Sequence, residues 1–284
     1  MSKHFSVNDF KKAKIDKRKI SVLTAYDRFT ARVVEDGGTD AILVGDSLGM
    51  TVLGYDDTLS VTMEDMVRHT RAVSRTAKNS FVIADMPFLS YQISVETALQ
   101  NAGRLVVEGG CGAVKLEGGK EYCSQVKAIV SAGIPVMGHL GFTPQSINKF
   151  GGTFVSGKTE KSAVKLMEDA LALQDAGVFS IVLECVPYEL SKLISERLAV
   201  PTIGIGSGPD CDGQVLVIHD ILGMNDSFSA KHFKTFAKIQ GVATDAVKKY
   251  VEEVGAVSFP TNENSFIVEK EVLEGFKRGT YNWK

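Results

Sequence analysis

Four apolar runs in this sequence end at an acidic residue. Asp46 follows AILVG, Asp85 follows FVIA, Glu117 follows AVKL and Glu184 follows SIVL. One such carboxylate is an ordinary turn or helix-cap residue, but four at equivalent places suggest a shared role. If the runs are parallel strands, their carboxyl ends lie at one edge, so Asp46, Asp85 and Glu117 can converge.

Carboxylates that meet in one place predict a metal site. Without a cation between them they repel and raise one another's pKa. Oxygen-only ligands favour Mg²⁺ or Mn²⁺ over zinc, which more often binds His or Cys. We therefore expect Asp46, Asp85 and Glu117 to hold a divalent cation. Gly45 and Gly49, on either side of Asp46, would let the backbone approach that ligand.

Two further polar residues belong to the same strand ends. Lys115 lies two residues before Glu117 and so on the same side of its strand. It either neutralises an anionic substrate or balances Glu117. His139, in GHLGFTPQS, is a candidate hydrogen-bond donor or proton relay, or else a structural histidine.

The spacing of the apolar runs predicts the fold. Longer amphipathic stretches separate eight runs, and repeated βα units require parallel strands. Eight units in this length favour a closed (β/α)₈ barrel (a TIM barrel) over an open doubly wound sheet. We expect a single domain over residues 1–284, with a short N-terminal helix and a C-terminal helical extension. The predicted strands are 20–25, 41–46, 80–85, 112–117, 135–140, 179–184, 201–206 and 214–220.

Two stretches carry clear helix signals. Thr62 to Asp65 reads as a capping box that begins one helix. In SAVKLMEDALALQDAG, Val164, Met167 and Leu171 are predicted to share one face of the helix, and Gly177 to end it.

Composition excludes several classes of protein. The 284 residues carry a formal charge of −2 with no dense basic run, so a nucleic-acid partner is not expected. Four cysteines without a CxxC pair indicate neither a zinc site nor disulfides. No apolar stretch resembles a signal peptide or reaches membrane-spanning length, so we expect a cytoplasmic protein with no membrane partner.

The segment GIGSG, residues 204–208, leaves two interpretations open. It follows the seventh run, where many barrels bind phosphate through backbone N–H groups. It also lacks the continuation that would indicate a nucleotide, so an ordinary glycine-rich turn explains it equally well.

Six motifs in order along the chain resemble the ketopantoate hydroxymethyltransferase family, from about residue 5 to 270. They are GDSLGMTVLGYDDT (45–58), ADMPF (84–88), VKLEGG (114–119), PVMGHLGFTPQS (135–146), VLECVP (182–187) and CDGQVLVIHD (211–220). The resemblance implies a Mg²⁺-dependent barrel enzyme of pantothenate and coenzyme A synthesis. Its substrates would be 5,10-methylenetetrahydrofolate and 3-methyl-2-oxobutanoate (ketoisovalerate), and its product 2-dehydropantoate (ketopantoate).

The resemblance also assigns roles to individual residues. It implies metal binding by Asp46, Asp85 and Glu117, and substrate binding by Asp46, Ser47, Asp85 and Lys115. Glu184 would accept the C3 proton of the keto acid, and Mg²⁺ would stabilise the resulting enolate. The family further suggests a large homo-oligomer, usually a decamer.

One departure and two rival functions remain. Asn264 in FPTNENSF stands where the family pattern leads us to expect His, so local contacts there would differ. One rival is a Mg²⁺-dependent 2-oxo acid lyase or mutase of the phosphoenolpyruvate kind. The other is a non-catalytic metal-binding barrel, which would need neither Glu184 nor Lys115.

Overall fold

Eight parallel strands close into a barrel in chain order, as the spacing predicts. The computed structural model describes residues 4–152, 154–224 and 233–279. Closure occurs where the first strand pairs with the eighth, with Val22 beside Val215. The strands are β1 Ile20–Thr24, β2 Ala41–Val44, β3 Phe81–Asp85, β4 Ala113–Glu117, β5 Val136–Gly141, β6 Ser180–Glu184, β7 Thr202–Ile205 and β8 Gly213–Leu216.

Helices follow the strands and cover the barrel. A π-helical turn, Leu105–Gly109, extends one of them. The helices of the described chain are α1 Val7–Ile15, α2 Arg28–Asp36, α3 Leu48–Thr51, α4 Met63–Ser74, α5 Val95–Arg104, α6 Cys123–Ser131, α7 Ile147–Phe150, α8 Glu160–Ala176, α9 Tyr188–Arg197, α10 Ile218–Ile221, α11 Ile239–Gly255 and α12 Lys270–Arg278. The predicted (β/α)₈ fold, the N-terminal helix α1 and the C-terminal helices α11 and α12 are thus confirmed.

Two predicted strands extend too far. β2 ends at Val44, so Asp46 lies in the turn that leads into α3. The run at 214–220 is a strand only to Leu216, and its last residues begin α10. There the backbone N–H of Ile218 donates to Thr24 Oγ1 at 2.9 Å, which turns the chain out of the sheet.

The helix signals are correct, but the apolar face of α8 with Val164, Met167 and Leu171 is only partly buried. Thr62 caps α4 and forms the capping box with Asp65. Gly177 ends α8 in the left-handed conformation at φ 99°. The buried face of α8, however, includes Leu166 and Leu173, whereas Val164 is 52% exposed. Because apolar residues lie on two adjacent faces of α8, their spacing alone does not identify the buried one.

The amino-terminal end of the barrel is closed by α1. Phe10 is fully buried and makes edge contacts with Phe81 and Phe179, with ring centroids 6.1 and 5.1 Å apart. Lys14 Nζ pairs with Asp212 Oδ2 at 2.7 Å at the same end. This end is therefore packed and neutral, while the carboxyl ends of the strands open into the cavity described below.

The chain divides into two units, Met1–Phe236 and Ala237–Lys284. In the second, a 3₁₀ turn at Asn262–Asn264 separates α11 from α12. Asn264 Oδ1 accepts a hydrogen bond from Thr261 Oγ1 at 3.0 Å, so its side chain has a local structural use.

Two predicted absences concern membranes and disulfides. Of the helices in the described ranges, none is both long and apolar enough to cross a membrane. All four cysteines are free thiols: Cys111, Cys123, Cys185 and Cys211.

Candidate active site

A cavity of about 900 Å³ lies at the carboxyl ends of the barrel strands. In barrels of this kind the loops at that face form the functional site. The cavity is lined by every residue selected from the sequence: Asp46, Ser47, Asp85, Lys115, Glu117, His139 and Glu184.

Asp46 and Asp85 are joined through the backbone at the end of β2. The N–H of Asp46 donates to Asp85 Oδ2 at 3.1 Å, and both side chains are buried. A Cβ at Gly45 would lie 2.7 Å from Ser47 Oγ, so a larger residue there would displace the Ser47 hydroxyl. Burial, followed by the charges of Asp85 and Glu117, raises the pKa of Asp46 well above its usual value.

Lys115 is the cation of this buried group. It neighbours Asp85 across the β3–β4 pair, and its Nζ lies 2.9 Å from Asp85 Oδ1. Burial lowers the pKa of Lys115, but the carboxylates of Asp85, Glu117 and Asp46 outweigh it and raise the pKa above its usual value. Lys115 is therefore held as an ammonium ion among several carboxylates.

His139 links the buried carboxylates to Glu184. It lies beside Glu117 in the β4–β5 register, with Nδ1 3.3 Å from Glu117 Oε1 and 3.2 Å from Lys115 Nζ. Its Nε2 lies 3.1 Å from Glu184 Oε2, although the angle falls short of an aligned hydrogen bond. Burial and Lys115 lower the pKa of His139, but Glu117 and Glu184 reverse this and raise it to about 9.

Glu184 is the most open of these carboxylates. Its side chain is 16% exposed, compared with 4% for those of Asp85 and Glu117. Its carbonyl accepts from Phe142 N at 2.8 Å, and a Cβ at Gly141 would lie 2.1 Å from that carbonyl oxygen. The tight backbone approach at Gly141 thus fixes where β6 ends and where Glu184 enters the cavity.

Ser47 lies at the start of α3 on another side of the cavity. Its hydroxyl is 2.8 Å from the hydroxyl of Tyr26, a buried residue. Burial, the largest influence, raises the pKa of Tyr26 to about 12, so the phenol stays protonated. This pair leaves Ser47 oriented beside Asp46.

Gln145 is a central residue that the sequence analysis did not select. Its Nε2 donates to Asp46 Oδ2 at 2.8 Å and to Met86 O at 2.9 Å, and its backbone N–H donates to Glu117 Oε2 at 3.0 Å. The Tyr91 hydroxyl donates to its Oε1 at 2.9 Å. Gln145 thus connects two carboxylates, but it follows β5 within a loop, where no spacing argument identifies it.

The acidic residues fit Mg²⁺, which does not require a complete set of protein ligands. Within the described ranges, no three His, Cys, Asp or Glu side chains are grouped closely enough to hold a metal ion by themselves. Mg²⁺ keeps several waters and binds through one or two carboxylates plus substrate oxygens. Asp85 Oδ1 is buried and contacts Lys115 Nζ at 2.9 Å, and among the described residues it accepts no other hydrogen bond. The unused lone pair of that oxygen and the crowded charge at Asp46 fit a hard cation.

The GIGSG loop has a structural use. Ser207 is buried. Its Oγ donates a hydrogen bond to Leu183 O at 2.7 Å and accepts one from Val186 N at 3.2 Å. A Cβ at Gly208 would lie 2.3 Å from Cβ of Tyr188, so the chain passes too closely for another residue. These contacts favour the glycine-rich turn over a phosphate loop.

Solved structures share this barrel at low sequence identity. A 2,3-dimethylmalate lyase of the PEP mutase/isocitrate lyase superfamily has a TM-score of 0.58 and 18% identity; the match covers 94% of this chain and 93% of the lyase. At that identity the similarity establishes the fold alone.

Sequence comparison gives a closer relationship. The family profile described as ketopantoate hydroxymethyltransferase matches residues 4–262. A 3-methyl-2-oxobutanoate hydroxymethyltransferase of Acetivibrio thermocellus is 58% identical over 96% of this chain and 97% of its own. One of Clostridium novyi is 55% identical over 95% and 98%. The chain belongs to the ketopantoate hydroxymethyltransferase family of enzymes.

Proposed function

We propose that this enzyme transfers a one-carbon unit from 5,10-methylenetetrahydrofolate to 3-methyl-2-oxobutanoate, forming 2-dehydropantoate for pantothenate and coenzyme A synthesis. The family relationship supports the transferase class. The observation that carries the mechanism is the position of Glu184. It is the more open carboxylate, and it faces the cavity across His139 from the buried acidic group.

Mg²⁺ is the proposed cofactor, with Asp46, Asp85 and Glu117 as the residues that would hold it. When bound, it would stabilise the negative charge that develops on the keto oxygen as an enolate forms. Gln145 supports this assignment because it orients Asp46 and Glu117 at once.

The keto acid would bind beside this group. Lys115 is the buried cation closest to the proposed metal ligands, so we assign it to the substrate carboxylate. Ser47, oriented by Tyr26, would donate a hydrogen bond to the same substrate. Asp46 and Asp85 line the same cavity and would also contact the keto acid.

Glu184 is the proposed base. It would take the C3 proton, and the electron pair left at C3 would attack the methylene carbon of the folate. Attack would break the first of the two C–N bonds that hold the methylene carbon. Water would then replace the second C–N bond and supply the hydroxyl group. The two folate nitrogens would take up the C3 proton and a proton of the water, and tetrahydrofolate would leave. His139 lies between Glu184 and Glu117 and would orient the base or relay its proton.

The direct test is a reconstituted assay. Purified enzyme with Mg²⁺, ketoisovalerate and methylenetetrahydrofolate should form ketopantoate, and omitting any one of the three should stop its formation. Failure to form ketopantoate with all three present would refute the proposed reaction. Formation of a cleaved keto acid instead would support the lyase alternative.

We further propose that residues 1–284 act as one catalytic domain in a cytoplasmic homo-oligomer, with the decamer that the family resemblance suggests as its size. Light scattering of the purified protein would measure the oligomer mass. A monomer at assay concentration would contradict the oligomer proposal.

A further inference from the structure

The cavity is larger than one small keto acid requires. A volume of about 900 Å³ falls in the range that encloses a drug-sized ligand. The polar residues described above occupy only part of its lining. The remaining surface leaves room for a second ligand.

An aromatic wall lines another part of the cavity: Phe142, Pro144, Ile147 and Phe154. The rings of Phe142 and Phe154 meet edge to face at 5.8 Å, and the ring of Phe150 lies 4.4 Å from that of Phe154. Phe142 is buried and Phe154 is half-buried, so Phe154 is the more accessible ring. Aromatic rings favour offset stacking with flat aromatic ligands.

This aromatic wall is anchored beside the proposed base. The N–H of Phe142 donates to the carbonyl of Glu184 at 2.8 Å, and Ser156 N donates to Cys185 O at 2.9 Å. A ring held on the wall would therefore present its substituents close to Glu184, where C3 of the keto acid loses its proton.

Lys158 is a second lysine in the described lining of the cavity. The first, Lys115, is paired with Asp85. Lys158 is exposed at the cavity edge, and within the described ranges no carboxylate lies within ion-pair distance of it. Among the described residues, Lys158 is thus a cation available to a second anionic ligand.

We propose that the aromatic wall binds the flat bicyclic ring of the folate and that Lys158 pairs with its glutamate carboxylates. The inference rests on the proposed function, because that function supplies a ligand with a flat ring at one end and an acidic tail at the other. It assigns binding, not chemistry, to Phe154 and Lys158.

Phe154→Ala tests the ring site. We expect KM for methylenetetrahydrofolate to rise about tenfold, while KM for ketoisovalerate stays within about twofold. Phe154→Leu keeps an apolar side chain without the ring and should show a smaller rise, which separates stacking from loss of the local fold. An unchanged folate KM in both variants would overturn the ring assignment.

Lys158→Ala tests the tail site with two binding probes, tetrahydrofolate and tetrahydropteroate, which lacks the glutamate. Binding of tetrahydrofolate should weaken roughly threefold, as for an exposed ion pair, and that of tetrahydropteroate should not change. Lys149→Ala is the matched control, because Lys149 faces the Phe150 ring and is absent from the cavity lining. Equal loss for both probes, or no loss for either, would overturn the assignment.

The proposed function and the assignment of the folate-binding residues can be refuted separately. If wild-type enzyme forms no ketopantoate, the proposed function fails before any variant is measured. If it does, and the variants bind folate normally, only the aromatic wall and Lys158 are assigned wrongly.

Discussion

The two ends of β2 carry aspartates in opposite surroundings. Before the strand, Asp40 receives Arg18 Nη1 on both carboxylate oxygens at 3.0 Å and Ser21 N at 2.9 Å. After it, Asp46 is buried near two other carboxylates, with its pKa raised by burial and by their charges. The carboxylate of Asp40 is thus paired by protein groups, whereas the excess negative charge around Asp46 remains to be neutralised by a ligand.

The same contrast holds for the barrel as a whole. At its amino end, Lys14 pairs with Asp212 and the Phe10 cluster fills the interior. At its carboxyl end, four carboxylates share Lys115 and His139. Burying unbalanced charge costs stability, so we interpret the first end as built for stability and the second for binding and catalysis.

The largest expected effect is on the metal site. Asp85→Ala should abolish turnover, because it removes one of the three carboxylates proposed to hold Mg²⁺ and should prevent Mg²⁺ binding. Calorimetric titration of Mg²⁺ into enzyme with ketoisovalerate measures this directly. Asp40→Ala, at the other end of β2, is the control and should bind Mg²⁺ normally. Full activity of the wild type in excess chelator would show that the site needs no metal.

The next largest effect is expected at Glu184. Glu184→Gln keeps the size of the side chain but cannot accept the C3 proton, so kcat should fall about 10²–10⁴-fold. Ketoisovalerate and Mg²⁺ should still bind, since Glu184 lies outside the Asp46 and Asp85 pair.

Deuterium exchange sharpens that result. Wild-type enzyme with Mg²⁺ in D₂O should exchange C3 of ketoisovalerate without folate, and Glu184→Gln should be slow in this half-reaction as well. Exchange at the wild-type rate in the variant would show that Glu184 acts in the transfer step and not in removal of the C3 proton. His139 would then be the better candidate for the base.

A smaller effect is expected at Lys115. Lys115→Ala should raise KM for ketoisovalerate about tenfold or more, as expected if one charge-assisted hydrogen bond of about 1.5–3 kcal/mol is lost. Steady-state kinetics with varied keto acid, alongside a denaturant melt, separates two roles. An unchanged KM with lower stability would mean that Lys115 serves only as the partner of Asp85.

These residues also show how far sequence reasoning reaches. Asp46, Asp85, Glu117 and Glu184 could be found because parallel strands deliver their ends to one face, and Lys115 because alternation places it beside Glu117. The 3.1 Å contact between His139 and Glu184 depends on the register of β5 and β6, which the sequence does not state. Register, unlike strand spacing, depends on the packing of the whole barrel.

Loop residues lay beyond that reasoning. Gln145 joins Asp46 to Glu117 through side-chain and backbone bonds that exist only once the loop after β5 is folded. Phe154 likewise reaches the cavity from the segment between α7 and α8. Loop positions carry no period, so their contacts appear only in three dimensions.

The smallest effect on catalysis is expected at the amino end. Phe10→Ala should lower the free energy of unfolding by about 3–5 kcal/mol, because it empties a fully buried ring site among Phe81 and Phe179. At a temperature where the variant stays folded, kcat and both KM values should remain within about twofold of wild type. Denaturant unfolding and steady-state kinetics on the same preparation test both parts. Asp85→Ala should give the reverse pattern, a folded enzyme without turnover. If Phe10→Ala instead loses kcat in proportion to stability, the two ends of the barrel are coupled, and the separation of a stabilising end from a catalytic end is wrong.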